Sequence, residues 1–331
     1  MSNEIEHGEE ILKINDYKLN FITEEGTVKA LDGIDITVRK GEIHGLIGET
    51  GCGKSVTSLS ILGLLDNNAR IDGGKIVYKG RDLLELNENE LRKEIRGNEI
   101  SMIFQDPGSS LNPVYTAGDQ IKESVVLYQS QDKDEVKKLV LDELDRVKLP
   151  DPEDVYEKYP HELSGGMKQR VMIAMMLACN SNLLIADEPT TALDVSIQAQ
   201  FLKVLKTLQK ENDLSILYIT HDMAVVSEVC DRVTVMYAGQ IVEDANVEDL
   251  FKNPKHPYTI GLIHSVPGVE TSIDDFETIP GTVPRLINPP SGCRFHPRCS
   301  YSKEICKKEK PKLEKVDSNH LVSCHFWEEI E

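Results

Sequence analysis

The sequence predicts an α/β fold with a mainly parallel sheet at its core, a helical insertion and a small irregular C-terminal extension. Up to about Phe251, short β-branched runs alternate with longer amphipathic stretches, a pattern typical of α/β proteins. Beyond that point proline becomes frequent, and four of the seven cysteines follow. We therefore expect two differently organised parts in one chain.

The predicted strands are short apolar runs rich in β-branched residues. In chain order they are Ile34–Val38, Ile43–Ile47, Ile76–Tyr78, Ile100–Phe104, Leu183–Ala186, Ile216–Ile219 and Val233–Tyr237. The predicted helices are the amphipathic stretches Ser55–Leu65, Asp134–Val147, Gly166–Ala178, Ser196–Glu211 and Met223–Cys230. Strand signals are missing between Ser109 and Ser164, which predicts a helical insertion there.

The domain boundaries follow from this composition shift. We expect an α/β domain over residues 1–252, with its helical subdomain at about 109–164, and the extension over 253–331. The prolines that begin at Pro254 and Pro257 end the alternating pattern. A small, loop-rich segment of this kind needs a metal or a crosslink to hold its structure.

Charge and hydropathy exclude several classes of protein. The chain has 331 residues, with 56 acidic and 37 basic side chains and a net charge of −19, which argues against a broad basic surface for nucleic acid. No apolar run approaches the roughly 18 residues that a membrane-spanning helix needs. The acidic segment Met1–Glu10 lacks the layout of a signal peptide. We therefore expect the protein in the cytosol or on the cytosolic side of another structure.

A glycine-rich segment predicts a phosphate site. Residues Gly48 to Ser55 match G-x-x-x-x-G-K-[ST] between a predicted strand and a predicted helix. Glycines let successive N–H groups converge on phosphate oxygens, and the helix N-terminus adds its positive dipole end. Lys54 is predicted to contact the β- and γ-phosphates of ATP, and Ser55 to bind Mg²⁺. The predicted nucleotide contacts are Gly48, Glu49, Thr50, Gly51, Cys52, Gly53, Lys54, Ser55 and Val56. The Cys52 thiol, near Lys54, is expected to be sensitive to alkylation.

Two adjacent carboxylates complete the predicted chemistry. Asp187 and Glu188 follow the buried run Leu183–Ala186, at the strand edge where open α/β sheets bind their ligands. We expect Asp187 to hold Mg²⁺ through water, and Glu188 to polarise the attacking water.

Four further motifs stand in a fixed order around these two. Gln105 follows a predicted strand, Leu163-Ser164-Gly165-Gly166 precedes the carboxylates, Ala192-Leu193-Asp194 follows them, and His221 ends a later strand. This order resembles that of the ABC-transporter ATPases over nearly the whole chain. The resemblance implies an α/β P-loop NTPase domain with a mixed sheet core and a helical insertion. A guanine-nucleotide switch protein would instead carry an Asn-Lys-x-Asp motif, which the sequence lacks.

The resemblance implies a role for each of these residues. Gln105 would touch Mg²⁺ and the attacking water, and His221 would contact the γ-phosphate. Ser164, Gly165 and Gly166 would open a helix toward ATP bound on a second subunit, and Asp194 would cross that interface. For adenine stacking, Phe21 is the best placed aromatic residue and Tyr17 is its competitor.

Segments outside these motifs indicate the subfamily. Residues 105–113, 159–163, 256–259, 279–284 and 292–299 look like those of the oligopeptide/dipeptide importer ATPases, and most like the D-type subunit. The resemblance implies an F-type ATPase partner, two permease subunits, an extracytoplasmic substrate-binding protein and a peripheral place on the cytoplasmic face of the membrane. The family also imports nickel complexes and some sugars, so another solute remains an alternative to peptides.

Two other classes of protein are alternatives to an importer ATPase. Soluble ABC ATPases of translation or DNA repair carry tandem cassettes or a long coiled coil, and the sequence has neither. A regulatory subunit that binds ATP without hydrolysing it would have lost Lys54, Glu188 or His221, and all three residues are present.

The cysteine quartet Cys293, Cys299, Cys306 and Cys324 has spacings C-x5-C, C-x6-C and C-x17-C. Structural zinc sites usually show C-x2-4-C pairs, although His296 and His325 could add nitrogen ligands. A reducing compartment disfavours disulfides. The resemblance implies a [4Fe–4S] cluster at these positions, with zinc or plain thiols as the alternatives.

Overall fold

A computed structural model of the chain describes residues 8–104, 111–191, 194–265 and 279–330. Its strands are β1 (Glu10–Thr23), β2 (Gly26–Arg39), β3 (Ile43–Ile47), β4 (Ala69–Tyr78), β5 (Arg81–Asp82), β6 (Ile100–Ile103), β7 (Leu183–Asp187), β8 (Ser215–Thr220), β9 (Arg232–Tyr237), β10 (Gln240–Asn246), β11 (Glu314–Lys315) and β12 (Leu321–Val322).

Its α-helices are α1 (Lys54–Leu62), α2 (Glu88–Glu90), α3 (Ala117–Tyr128), α4 (Lys133–Arg146), α5 (Pro152–Glu157), α6 (Gly165–Leu177), α7 (Val195–Asn212), α8 (Met223–Val229), α9 (Val247–Lys252), α10 (Pro257–His264) and α11 (Glu304–Lys308). A π-helical turn, Leu91–Ile95, follows α2, and short 3₁₀ turns cover Leu83–Glu85, Pro160–Glu162, His296–Arg298 and Trp327–Glu329. The part of the chain that the structure describes has no helix long and apolar enough to cross a membrane.

The chain forms two compact units. The first consists of Met1–Glu85 and Ile219–Glu331, and the second of Leu86–Tyr218. Strand β8 carries the chain from the second unit back into the first.

The first unit contains an antiparallel sheet of order β2-β1-β4-β5. In β1, apolar residues that are buried alternate with polar ones that are more exposed, the period-2 pattern of a half-buried strand. Ile14 pairs with Ile36 of β2 on one side and with Ile76 of β4 on the other. The expectation of a mainly parallel sheet missed this layer, because the polar residues of β1 break its apolar runs.

The first unit also contains strands in the order β11-β12-β10-β9-β3. Gly45 of β3 pairs in parallel with Val233 of β9, and both strands are buried throughout. Strand β10 returns antiparallel to β9. Strand β3 ends directly before the glycine-rich segment, so the parallel pair fixes where that segment begins.

The C-terminal extension is built into the first unit. It is largely irregular, as expected, but Val322 of β12 pairs with Glu243 of β10, so the extension also continues the sheet. His320 Nε2 lies 2.7 Å from Glu243 Oε1, and Arg294 Nη2 lies 3.2 Å from Asp32 Oδ2. Buried charges such as Glu243 need these partners, which therefore tie the extension to the unit.

The second unit pairs β6 with β7 in parallel, with Met102 opposite Ile185. Residues 111–164, the described part of the predicted insertion, contain helices α3, α4 and α5 and no strand. Helix α3 was not predicted; it is capped by Thr116, whose hydroxyl accepts a hydrogen bond from Asp119 N at 3.1 Å. The predicted α/β fold is confirmed.

Candidate functional site

The phosphate loop follows β3 and leads into α1. Gly48 and Gly53 have φ values of 155° and 114°, where side chains other than glycine are strained. A Cβ at Gly48 would lie 2.1 Å from Met236 O, and one at Gly53 would lie 2.8 Å from Leu31 Cδ2. The two glycines therefore allow the loop to pass close to its neighbours and to point backbone N–H groups at a ligand.

Lys54 is the first residue of α1 and is only 4% exposed. Its Nζ donates to the carbonyl oxygens of Gly48 at 2.7 Å and of Glu49 at 3.2 Å. The ammonium group thus lies over the loop's own backbone, beside a helix N-terminus. A lysine and a set of backbone N–H groups in this arrangement suit a polyphosphate. Ser55 and Val56 follow in the first turn of the same helix.

The expectation that Cys52 is sensitive to alkylation is wrong. The side chain is fully buried, and this burial raises the pKa of the thiol to about 11, although Lys54 acts in the opposite direction. The reactive species of cysteine is the thiolate, and it must be accessible. A buried thiol that keeps its proton at neutral pH meets neither condition.

Residues of the C-terminal extension and of α10 reach the phosphate loop. Arg298 forms an ion pair with the Glu49 carboxylate, and the Tyr258 hydroxyl accepts a hydrogen bond from Glu49 N. Neither residue was predicted, although both lie in segments that indicate the subfamily. The available signal in the sequence was an arginine directly before Cys299, but no neighbouring residue indicated its partner.

The second unit carries the two predicted carboxylates at the end of β7. Asp187 is 3% exposed and Glu188 is 7% exposed. Glu188 has a φ of 46°, a left-handed conformation that costs a residue other than glycine on the order of 1–3 kcal/mol. Its Oε2 accepts a hydrogen bond from Thr191 Oγ1 at 3.3 Å. A strained, buried carboxylate after a strand is a feature typical of catalytic positions.

Ser164 caps the N-terminus of α6. Its Oγ accepts a hydrogen bond from Met167 N at 3.3 Å. Ser164 and Gly165 are exposed, and a Cβ at Gly165 would meet no atom within 4 Å, whereas one at Gly166 would lie 3.0 Å from Ile197 Cδ1. The start of this helix is therefore open to a ligand from outside the described chain.

Asp194 caps α7, and its Oδ1 accepts a hydrogen bond from Ile197 N at 3.0 Å. The next residue, Val195, is 83% exposed, which is unusual for a valine. In the same unit Gln169 of α6 is buried and donates to Pro189 O at 2.5 Å. Gln169 was not predicted. Its hydrogen bond connects α6 to the turn that holds Glu188.

The remaining predicted residues differ in how they are placed. His221 is exposed and follows β8. Tyr17 is fully buried, which removes it as a stacking residue, while Phe21 in β1 is half-buried. Gln105 lies outside the described residues, as do Ala192 and Leu193.

The cysteine quartet lines one small cavity in the first unit, together with Phe295 and Phe326. Burial is the main cause that raises the pKa of Cys293 to about 12 and that of Cys324 to about 11, with the neighbouring thiols adding to it. Without a bound metal, the thiols of Cys293 and Cys324 therefore keep their protons at neutral pH. The fold brings to one cavity four cysteines that are spread over residues 293–324.

The two histidines near the cavity are already bonded. His296 Nδ1 lies 2.9 Å from Cys293 O, and His325 Nε2 lies 2.9 Å from Glu309 O. Among the described residues, no group of three or more His, Cys, Asp or Glu side chains is placed to hold a metal ion. The thiols therefore share a cavity without converging on a single point.

Two family descriptions match the chain. Residues 31–191 match the ABC transporter family, and residues 242–306 match the C-terminal region of oligopeptide/dipeptide transporters. The oligopeptide transport ATP-binding protein AppD of Bacillus subtilis is 48% identical over 320 residues, covering 96% of this chain and 97% of AppD. The dipeptide transport ATP-binding protein DppD of Bacillus subtilis is 45% identical over 317 residues, covering 96% and 94%.

Solved structures agree with this likeness. The protein cbiO1 of Clostridium perfringens, part of the ABC transporter complex cbiONQ, is 31% identical with a TM-score of 0.64, over 74% of this chain and 91% of that one. The dimeric ATP-binding cassette MJ0796, bound to ADP and Pi, is 28% identical with a TM-score of 0.62, over 71% and 98%.

Proposed function

The chain belongs to the ABC transporter ATP-binding proteins that carry the oligopeptide/dipeptide transporter C-terminal region, and we propose that it energises the import of di- or oligopeptides. It is an ATPase whose hydrolysis drives transport. The observation that carries the peptide assignment is the 48% identity to AppD across 96% of the chain. That span includes the extension, which an ATPase domain by itself does not need.

The chain's own residues divide the work on ATP. In the first unit the phosphate loop and Lys54 hold the phosphates, Phe21 stacks on adenine, and His221 contacts the γ-phosphate. In the second unit Glu188 takes a proton from the attacking water, as a general base must. The role of Lys54 is supported by its place over the loop, where its ammonium group bonds to the carbonyl oxygens of Gly48 and Glu49 and can exchange them for phosphate oxygens.

Mg²⁺ suits the oxygen donors that the sequence provides. The Ser55 hydroxyl, the Gln105 amide and the Asp187 carboxylate are hard oxygen ligands of the kind that this ion prefers. Asp187 is only 3% exposed at the end of β7, and a bound cation would compensate such a charge. When bound, the ion neutralises charge on the phosphates.

Hydrolysis needs a second ATPase subunit, for which we propose an F-type paralogue. The exposed start of α6 at Ser164 and Gly165 would face the γ-phosphate bound by that partner. Asp194 and the exposed Val195 would lie at the same interface. Two permease subunits and an extracytoplasmic substrate-binding protein complete the proposed importer, with this chain at the cytoplasmic face of the membrane.

We expect peptide to stimulate hydrolysis in the assembled importer. The test is ATPase activity in lipid nanodiscs containing both ATPases and both permeases, with the binding protein added either empty or loaded with a tripeptide. Loaded binding protein should raise the rate several-fold, because closure of the ATPase dimer is coupled to the permeases. Stimulation by a nickel complex and not by peptide would instead support the alternative cargo. Full activity without permeases would favour a soluble ABC ATPase.

At the cysteine quartet we propose a [4Fe–4S] cluster as a structural staple. A cubane takes one thiolate at each iron, so its four donors surround a cavity and do not converge on one ion. The four thiols line such a cavity, and His296 and His325 are engaged by carbonyl groups. Each of these contacts uses only one ring nitrogen, as metal-binding histidines commonly do, so zinc held by a mixed set of cysteine and histidine is the alternative.

The cluster is tested by anaerobic purification of the full chain. We expect iron and sulfide in equal amounts and a brown colour, both lost in Cys306→Ser. Cys179→Ser, which removes a buried cysteine of the second unit, should keep both. A colourless protein that contains one zinc ion and no iron would overturn the cluster and support a zinc site. Four thiols with no bound metal would overturn both the cluster and the zinc site.

A further inference from the structure

The C-terminal extension contacts the phosphate loop at Glu49. Arg298 Nη1 donates to Glu49 Oε2 at 2.6 Å, and Arg298 Nη2 donates to Glu49 Oε1 at 3.0 Å. The Arg298 side chain is 6% exposed and that of Glu49 is 32% exposed. Because this ion pair has two parallel hydrogen bonds and its arginine is buried, it is stronger and more directional than an ordinary surface ion pair.

Arg298 is itself held in place. Its Nε donates to Pro280 O at 2.7 Å, and its guanidinium lies 5.6 Å from the centre of the Tyr237 ring. It belongs to the 3₁₀ turn His296–Arg298, directly before Cys299. The turn that carries a cavity cysteine therefore also fixes the guanidinium that reaches the loop.

The backbone of Glu49 is fixed as well. Its N–H donates to the Tyr258 hydroxyl at 2.8 Å, and its carbonyl oxygen accepts from Lys54 Nζ at 3.2 Å. Tyr258 is fully buried, with its ring centre 4.7 Å from that of Tyr237. The amide, the carbonyl and the carboxylate of one loop residue thus each have a partner.

We propose that Arg298 is a positioning residue of the nucleotide site, which sets ATP affinity by holding and neutralising Glu49. Glu49 places a negative charge inside a loop that must receive a polyanion. Paired with Arg298, this charge is compensated. Unpaired, it repels the phosphates and competes for Lys54. The inference rests on the proposed function, because it requires that the loop binds ATP.

The test compares ATP affinity in the full-length wild type, Arg298→Ala and Arg298→Ala/Glu49→Gln, by titration with a fluorescent ATP analogue. Arg298→Ala should raise the Kd for ATP about tenfold, which is the effect expected when one charge-assisted interaction is lost. Adding Glu49→Gln should recover most of this loss, because it removes the unpaired charge. Arg298→Lys, which keeps the charge without the fork, should lie between the wild type and Arg298→Ala.

A control on the same extension is Lys310→Ala. Lys310 is exposed and pairs with Asp32, outside the loop, at 3.3 Å, so its loss should leave the Kd unchanged. In the assembled transporter, Arg298→Ala should raise the KM for ATP and keep kcat within about twofold. Thermal melting of each variant checks that it is folded.

The outcomes separate the two proposals. A wild type that binds no ATP overturns the proposed function together with this inference. A wild type that binds ATP, with Arg298→Ala binding equally well, overturns the inference alone. The inference is also overturned if Glu49→Gln does not restore the ATP affinity lost in Arg298→Ala, or if Lys310→Ala loses affinity as well. In either case the extension would act through the general stability of the protein.

Discussion

Replacing Glu188 by glutamine should leave ATP binding intact and should lower hydrolysis in the assembled transporter by about 10²–10⁴-fold, the usual contribution of a general base. Glutamine keeps the size of the side chain and its place after β7, but it cannot accept the proton of the attacking water. In the proposed site, nucleotide binding depends on the phosphate loop and Lys54, which the substitution leaves unchanged. The measurement is phosphate release at saturating ATP, together with the ATP Kd.

A trapped dimer should accompany this loss. With hydrolysis blocked, two bound ATP molecules keep the ATPase subunits closed, and light scattering should detect an ATP-dependent dimer with the F-type partner. Glu211→Gln, at the exposed end of α7, is the matched control and should hydrolyse ATP normally. Near-wild-type turnover in Glu188→Gln would mean that another group activates the water.

Replacing Lys54 by alanine should weaken ATP binding about 10- to 100-fold, because charge-assisted hydrogen bonds to the phosphates are worth about 1.5–3 kcal/mol. The structure adds a second reason for this loss. Lys54 also bonds to the carbonyl oxygens of Gly48 and Glu49, so its removal loosens the empty loop. The measurement is the Kd for ATP by isothermal titration calorimetry.

The two substitutions should therefore fail at different steps. Lys54→Ala fails at binding, and excess ATP should partly restore hydrolysis, whereas no ATP concentration should rescue Glu188→Gln. Lys252→Ala, which removes an exposed lysine paired with Glu248, controls for the loss of one positive charge. An unchanged Kd in Lys54→Ala would contradict its assignment to the phosphates.

The local features of this protein could be predicted from its amino-acid sequence. The predicted strand Ile43–Ile47 coincides with β3, and the helix predicted from Ser55 begins one residue earlier, at Lys54. Both depend on interactions between residues close in the chain. The glycine conformations at Gly48 and Gly53 are equally local, since they follow from the absence of a Cβ.

Contacts between residues far apart in the sequence became known only from the tertiary structure. Arg298 and Glu49 are 249 residues apart, and neither has a neighbour in sequence that indicates the other. The antiparallel pairing of β1 with β4 and the meeting of the four cysteines at one cavity are of the same kind. The physical reason is that hydrophobic period and backbone preference act over a few residues, so a sequence encodes which face of an element is buried. Which distant side chain meets that face depends on how all the elements pack together.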